Sequence, residues 1–247
     1  MQTPFRAANC MSNQPGKQPK DMTMTDDDMS EERGARKHLL YVADPMCSWC
    51  YGFAPVIAAI ADHFGDRLPV ELMMGGLRAG NTKPFTAEDK RTIGGHWRKV
   101  ESATGQPFDF ARMEAREGWV YDTEPACRAV VTMRLLNPGM ALAYKARVQH
   151  AFYAEGRDTA ADAVLADIAA EMGVDREMFF AELISPEARR ETQRDFLAAQ
   201  KAGIRGFPAL LAGDGAGRYI LVSNGYRPLD GLPEALEKWL EAAPPAN

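Results

Sequence analysis

Two cysteines three positions apart are the residues of this sequence best suited to chemistry. Cys47 and Cys50 flank Ser48-Trp49, in a chain of 247 residues that has four cysteines in all. So few cysteines do not form a disulfide-stapled scaffold. Positions i and i+3 share one face of a helix, so the two thiols are within reach of an intramolecular disulfide. The spacing therefore predicts reversible dithiol–disulfide chemistry.

The two cysteines have different predicted roles. They follow a short apolar run and precede a helical pattern, which places them in the first turn of a helix. Backbone N–H groups there lack intrahelical partners, and the macrodipole is positive. We therefore expect the pKa of Cys47 to lie below its ordinary value, which makes Cys47 the nucleophile. Cys50, deeper in the helix, is the predicted resolving thiol.

The elements around the pair follow a strand–helix–strand order. His38–Ala43 is rich in strand formers and predicts a buried strand. Apolar residues then recur at helical spacing over 53–64, with a stop at Gly65 and an expected kink at Pro55. A second strand is predicted over Val70–Met74, which completes a βαβ unit.

Helical periodicity dominates the middle of the chain. Thr159 with Asp162 resembles a capping box. Ser185-Pro186-Glu187 is a strong helix start, because Ser favours the N-cap and Pro the first helical position. Strands return at 209–212 and 219–222 around a glycine-rich loop typical of a hairpin, and a last helix is predicted over 232–240.

This order predicts an α/β protein with a thioredoxin-like fold and an inserted all-helical subdomain. Residues 1–36 are polar and are predicted to form a disordered tail. The thioredoxin-like domain is predicted to be discontinuous, over 37–82 and 204–243. The helical insertion is predicted over 83–203.

Composition excludes several classes of function. The sequence is 46% hydrophobic, with a formal net charge of −5, and has no basic stripe with interleaved aromatic residues, so we expect no nucleic-acid partner. No run approaches the roughly 18 apolar residues of a membrane span, so we expect no membrane partner. No secretory signal pattern is apparent, so a cytoplasmic location is expected. Cys127 and His96 do not have the spacing of zinc ligands, so no metal is expected.

Two further residues near the motif have structural interpretations. Asp44 precedes Pro45, and Asp-Pro is a common turn, so the turn is favoured over a role in proton transfer. Cys127 lies at a predicted helix start, and a free cysteine is usually an inert, small apolar residue.

Three segments together resemble the DsbA-type thioredoxin superfamily, with a closer match to its FrnE-like, protein-disulfide-isomerase branch. They are Asp44–Phe53 with its C-x-W-C motif, the helical insertion, and Gly206-Phe207-Pro208-Ala209. The resemblance covers 37–240. It implies that Pro208 is a cis-proline facing the cysteines and that the backbone of Phe207 pairs with an extended substrate. Trp49 is a further substrate-contact candidate, although simple packing on the helix explains it equally well.

The sequence between the cysteines departs from the pattern of DsbA. Ser48-Trp49 stands where DsbA has Pro-His and FrnE-like proteins often have Pro-Trp. Because the histidine is missing, a strongly oxidising potential is not expected, and reductase or isomerase roles are favoured. We expect protein or small-molecule disulfides as substrates, no bound cofactor, and glutathione or a partner reductase as the recycling reductant.

Two alternatives stay open at this point. Kappa-class glutathione transferases and 2-hydroxychromene-2-carboxylate isomerases look similar in architecture but use a serine near the position of Cys47, with glutathione as co-substrate. A chaperone that holds unfolded chains without thiol chemistry is the other.

Overall fold

A five-stranded sheet forms the centre of the molecule. The computed structural model describes residues 21–23 and 36–242. The strands are β1 (Asp21–Thr23), β2 (His38–Ala43), β3 (Val70–Met74), β4 (Ala209–Gly213) and β5 (Arg218–Asn224). Their order in the sheet is β1-β5-β4-β2-β3, and only the β2–β3 pair is parallel. The predicted mixed α/β class is confirmed.

Helices cover the sheet and fill the span between β3 and β4. They are α1 (Ser48–Gly52), α2 (Ala54–Phe64), α3 (Ala87–Thr104), α4 (Phe110–Glu114), α5 (Glu124–Leu136), α6 (Ala141–Tyr153), α7 (Asp162–Glu171), α8 (Arg176–Leu183), α9 (Pro186–Lys201) and α10 (Leu232–Glu241). Across residues 36–242 none of them combines the length and apolar character that a bilayer span requires.

The central strand β2 is buried over its whole length, which suits its continuous apolar run. It pairs with β3 on one side and with β4 on the other, so it lies inside the sheet and ends at the cysteine motif. The first turn after this strand is therefore held by the core of the protein.

The helical span is attached to the sheet through an ion pair at strand β3. Arg134 of α5 donates to the carbonyl oxygen of Leu72 at 2.5 Å and pairs with Asp195 of α9 at 2.8 Å. Asp195 in turn accepts the backbone N–H of Met74 at 2.8 Å. Two helices thus satisfy backbone groups of this edge strand.

Most local predictions are confirmed. The strands at 38–43 and 70–74, the hairpin β4–β5, the helix end at Gly65 and the Ser185 N-cap are all observed. The predicted tail over 1–36 lies outside the described residues except for Asp21–Thr23 and Arg36. The strand β1 was not predicted.

Two local predictions are wrong. The expected kink at Pro55 is a break, because α1 ends at Gly52 and Pro55 lies in the first turn of α2, where its missing N–H costs nothing. The capping box of Thr159 does not form. Ala161 is the N-cap of α7, and the buried hydroxyl of Thr159 has no hydrogen-bond partner.

Candidate active site

Asp44 holds the loop that leads from β2 to the cysteines. The backbone N–H of Cys47 donates to the Asp44 carbonyl at 3.1 Å, so the predicted turn is present. The carboxylate of Asp44 is fully buried and accepts the backbone N–H groups of Met46 at 2.8 Å and Leu77 at 2.7 Å. Asp44 therefore joins this loop to the one that follows β3.

The thiol of Cys47 faces the segment before β4. Cys47 is the N-cap of α1 and is 4% exposed. Its Sγ lies 3.5 Å from the carbonyl oxygen of Phe207, to which the thiol donates. The Phe207–Pro208 peptide bond is cis. The structure thus brings three of the predicted site residues together, and Cys50 lies one turn further along α1.

The phenyl ring of Phe207 lies over a glycine of the loop after β3. A Cβ atom added to Gly75 would lie 2.0 Å from Cε1 and 2.1 Å from Cζ of that ring. Only a residue without a side chain leaves room for the ring, which explains why glycine stands at position 75.

The helical span packs directly on the short helix that carries the pair. The ring of Tyr51 stacks on that of Tyr153 with centroids 4.8 Å apart. A Cβ atom at Gly52 would lie 2.9 Å from side-chain atoms of Val100 and Thr104 on α3. The position of α1 therefore depends on both the sheet and the helices.

Trp49 lies beside the pair and is half-buried. Its ring centroid is 5.7 Å from that of Tyr226, which lies in the segment after β5. This contact shows that Trp49 packs on the protein, while its exposed part leaves an aromatic surface beside the cysteines.

The expectation of a lowered pKa for Cys47 is wrong for this conformation. The pKa of the Cys47 thiol is raised well above its ordinary value, first by the hydrogen bond with the Cys50 side chain and then by burial. The charges of Cys50 and Asp44 add to the rise, and the backbone N–H of Cys50 opposes it. The helix N-terminus alone does not outweigh removal of the thiolate from water.

A buried lysine lies behind the pair, and the sequence analysis missed it. Lys145 of α6 is 1% exposed, and its Nζ donates to Oε1 of Gln149 at 2.9 Å and to Oη of Tyr41 at 3.3 Å. Lys145 and Gln149, four positions apart among buried residues, were the available signal.

Burial shifts the pKa values of these groups. It lowers the pKa of Lys145 to about 8 against the opposing charges of Cys50 and Cys47. It raises the pKa of Tyr41, with further contributions from the charges of both cysteines and the hydrogen bond with Cys50. The pKa of Asp44 is raised by burial, and the hydrogen bonds that its carboxylate accepts offset only part of that rise.

Cys127 is fully buried behind the loop, and its Sγ lies 3.4 Å from Oδ2 of Asp44. Burial raises its pKa well above the ordinary value, which agrees with an inert thiol. No group of three or more His, Cys, Asp or Glu side chains suited to a metal ion occurs among the residues that the structure describes.

The two cysteines lie at the start of a helix, and the thiol of Cys47 faces Phe207, the residue before Pro208. Pro208 directly precedes strand β4. This arrangement is typical of a dithiol protein of the thioredoxin type. The model of the DSBA-like thioredoxin domain matches residues 39–237, and the chain belongs to that family. The predicted thioredoxin-like fold is confirmed, and the FrnE-like branch within the family stays a prediction.

Solved structures agree with this membership. A protein from Nitrosomonas europaea assigned as a protein disulfide isomerase is 41% identical, with a TM-score of 0.78, over 83% of this chain and 98% of that one. The cytosolic disulfide reductase DsbM from Pseudomonas aeruginosa is 28% identical, with a TM-score of 0.70, over 83% of this chain and 100% of that one. A structure of DsbM with glutathione is also similar, at 27% identity, the same coverage of both chains and a TM-score of 0.68.

Proposed function

We propose that this protein is a thiol–disulfide oxidoreductase that reduces disulfides by dithiol–disulfide exchange. Cys47 is the nucleophile and Cys50 the resolving thiol. The observation that carries the proposal is the placement of the Cys47 thiol against the carbonyl of Phe207 at 3.5 Å. An extended substrate that pairs with the Phe207 backbone brings its own disulfide to that thiol.

The exchange proceeds in two steps. The Cys47 thiolate attacks one sulfur of the substrate disulfide, a mixed disulfide forms, and the other substrate sulfur leaves as a thiolate. Cys50, after losing its proton, attacks Cys47 Sγ and releases the second substrate thiol. The substrate gains two electrons, and the Cys47–Cys50 pair becomes a disulfide.

The electrostatics of the pair favour the reducing direction. A dithiol is a strong oxidant when its reduced form is stabilised, as in DsbA. Here burial and the Cys50 hydrogen bond raise the pKa of Cys47, so its thiolate gains no such stabilisation. The absence of a histidine between the cysteines supports the same direction.

The recycling reductant is proposed to be glutathione. The similar reductase DsbM has been solved with glutathione, and a tripeptide thiol is small enough to reach a cysteine that is 4% exposed. Disulfide-bearing proteins and small molecules are the proposed substrates, and a cytoplasmic location, where glutathione keeps thiols reduced, is proposed with them. Trp49, Phe207 and Pro208 are the proposed substrate contacts.

The test is the reduction potential of the pair in glutathione redox buffers, read by mass after alkylation of free thiols. We expect a reversible two-electron couple near the thioredoxin value of about −270 mV. The matched control Cys47→Ser should show no couple. A value near about −120 mV would contradict the reducing direction, and a pair that never forms a disulfide would contradict the proposal itself.

The glutathione-dependent isomerase or transferase is tested with Cys50→Ser. That reaction needs one thiol site and glutathione, whereas dithiol exchange needs both cysteines. Loss of disulfide reductase activity in Cys50→Ser is the expected result, and an unchanged glutathione-dependent turnover in that variant would favour the isomerase.

A further inference from the structure

A half-buried arginine beside the cysteine loop has no counter-charge. Arg78 lies in the segment after β3, and its guanidinium carbon is 5.1 Å from the centre of the Tyr121 ring. The hydroxyl of Tyr121 donates to the carbonyl oxygen of Met46 at 2.5 Å. Because Met46 directly precedes Cys47, a single tyrosine ring separates the guanidinium from the loop that carries the proposed nucleophile.

Backbone contacts hold the segment that carries Arg78 in place. The N–H of Arg78 donates to Oγ1 of Thr123 at 3.1 Å, and the N–H of the preceding residue donates to the buried carboxylate of Asp44 at 2.7 Å. Three positions before Arg78, Gly75 lies against the ring of Phe207. The segment is therefore fixed both to the cysteine loop and to the residue proposed to pair with substrate.

The guanidinium of Arg78 makes no hydrogen bond or ion pair with any residue of 21–23 or 36–242. It carries five N–H donors and is always charged. The pKa of Asp89 is lowered first by its hydrogen bond with Thr86, and the charge of Arg78 lowers it further. That carboxylate is held at the start of α3, where it accepts the N–H of Thr86 at 2.9 Å and the hydroxyl at 2.6 Å. The donors of Arg78 are therefore left for a ligand.

Helix α3 brings two further polar groups toward Arg78. A Cβ atom at Gly52 would lie 2.9 Å from Cγ1 of Val100, so this face of α3 packs on α1. His96 lies one turn before Val100 on that face, and Lys99 is exposed beside it. The pKa of His96 is lowered from 6.5 by burial and by the charges of Lys99 and Arg78. At pH 7 its imidazole is therefore mainly neutral and can donate one hydrogen bond.

We propose that Arg78, with Lys99 and His96 beside it, binds a carboxylate close to the sulfur that Cys47 attacks. The proposal rests on the function proposed above and names its substrate class, which is disulfides of peptide cysteines that have a carboxylate nearby. A guanidinium binds a carboxylate through two parallel N–H···O bonds. The formal net charge of the chain is −5, so attraction for such an anion comes from these local groups rather than from the protein as a whole.

The bound carboxylate positions the disulfide and takes no part in the exchange itself. The Cys47 thiolate forms a bond to one substrate sulfur, the substrate S–S bond breaks, and the other sulfur leaves with the electron pair as a thiolate. Charges at the rim of a binding site act mainly on the rate of association and on its salt dependence. High ionic strength screens them. The contribution of Arg78 is therefore expected in the rate of attack by Cys47 on anionic disulfides.

The test measures attack by Cys47 alone on matched pairs of disulfides. In the full chain with Cys10→Ser and Cys50→Ser, the mixed disulfide on Cys47 persists, and mass spectrometry of the intact protein follows its formation. The first pair is oxidised glutathione and its bis(glycinamide) analogue. The second is the disulfide of acetyl-Asp-Cys-amide and that of acetyl-Asn-Cys-amide. Within each pair a carboxylate is exchanged for an amide, so the ratio of the two second-order rate constants isolates its effect.

We expect the carboxylate member of at least one pair to react about tenfold faster, which is the order of one hydrogen bond to a charged group. This preference should vanish in Arg78→Met and shrink at high salt. Arg78→Lys should keep part of it, because lysine retains the charge without the planar fork. The matched control is Arg189→Met, which removes an exposed charge at the start of α9 and should leave the preference intact.

The two pairs distinguish the sources of the carboxylate. A preference for oxidised glutathione that depends on Arg78 supports the site with the recycling reductant as its ligand, and one for the acetyl-Asp-Cys disulfide supports it with an acidic residue beside the substrate cysteine. Equal rates within both pairs, or a preference that Arg78→Met leaves unchanged, would overturn the site while the proposed function stands. If Cys47 forms no mixed disulfide with any of the compounds, the proposed function fails and the site with it.

Discussion

The Cys47 thiol and the Phe207 carbonyl oxygen lie 3.5 Å apart although 160 positions separate them in the chain. The contact joins the end of a central strand to the start of an antiparallel neighbour. It exists because β2 and β4 are paired, with Val42 opposite Ala209. The sheet register, rather than either loop, places the Cys47 thiol, the proposed nucleophile, against the proposed substrate-pairing residue.

Gly75→Ala should displace the Phe207 ring and the carbonyl that faces Cys47. The added Cβ would lie 2.0 Å from that ring, so we expect a loss of about 1–3 kcal/mol in the free energy of unfolding, as for overpacked cores. Disulfide reductase activity should fall with it. Urea unfolding and an insulin-reduction assay measure the two effects.

The matched control is Gly95→Ala in α3, where the added Cβ would meet no atom within 4 Å beyond the adjacent backbone of its own helix. It should raise stability by about 0.5–1 kcal/mol, because alanine favours a helix interior. Equal effects of the two substitutions would contradict the steric argument.

Cys47 should react with iodoacetamide faster as the pH rises through the alkaline range. Only the thiolate is alkylated, and its pKa is raised by the Cys50 hydrogen bond and by burial. The rate at pH 7 should therefore lie below that of N-acetylcysteine. The measurement is the mass-resolved alkylation rate of Cys47 from pH 6 to pH 10, a range of about four units around the ordinary thiol value. A rate that levels off below neutral pH would disprove the raised pKa.

Lys145 should lower the stability of the folded protein at neutral pH. Its pKa is about 8 when folded against the ordinary 10.5, so between these values the unfolded chain binds more protons, and stability rises with pH. Relative to Lys145→Met, the stability of the unmodified protein should rise by on the order of 3 kcal/mol across that window, and should be flat below it.

Chemical unfolding of both proteins at a series of pH values measures this difference. The comparison cancels the titration of the groups that the two proteins share. A difference that does not change between pH 8 and pH 10.5 would show that the amine is not desolvated as the structure indicates.

Asp44→Ala should destabilise the loop that carries the cysteines. It leaves the N–H groups of Met46 and Leu77 without their acceptor, and the loss of two buried hydrogen bonds costs about 2–4 kcal/mol. Asp109→Ala is the matched control. The carboxylate of Asp109 also accepts a backbone N–H, that of Arg112 at 2.9 Å, but it lies at an exposed N-cap. We therefore expect Asp109→Ala to lower the free energy of unfolding by only about 1 kcal/mol.

Thermal unfolding and the alkylation rate of Cys47 measure the two variants. Equal losses of stability would show that burial of the Asp44 carboxylate adds nothing to its hydrogen bonds.

The sequence predicted what depends on local pattern and missed what depends on long-range packing. The buried strand over 38–43, the hairpin and the cysteine motif are each encoded within one short, continuous stretch of the chain. Lys145 is 104 positions from Tyr41 in the chain, and the two side chains meet only because the helical span packs on the sheet. No local pattern carries that information.

Two of the wrong predictions, the capping box and the pKa of Cys47, have the same origin. The capping box at Thr159 is compatible with its sequence, but tertiary packing placed Ala161 at the helix start. The pKa of Cys47 was predicted from the helix N-terminus alone. Burial and the hydrogen bond with Cys50 oppose that effect, and neither is visible from spacing.

The Arg134–Asp195 ion pair connects helices α5 and α9 of the helical span to the edge strand β3 of the sheet. The pair satisfies the carbonyl of Leu72 and the N–H of Met74, which would otherwise belong to an open edge of strand β3. An open edge is a template for pairing with another chain. Excising the helices would therefore yield a sheet prone to stick to its own copies rather than a smaller working enzyme. We therefore expect the inserted segment to limit pairing of β3 with a second chain, in addition to its packing on the helix that carries the thiols.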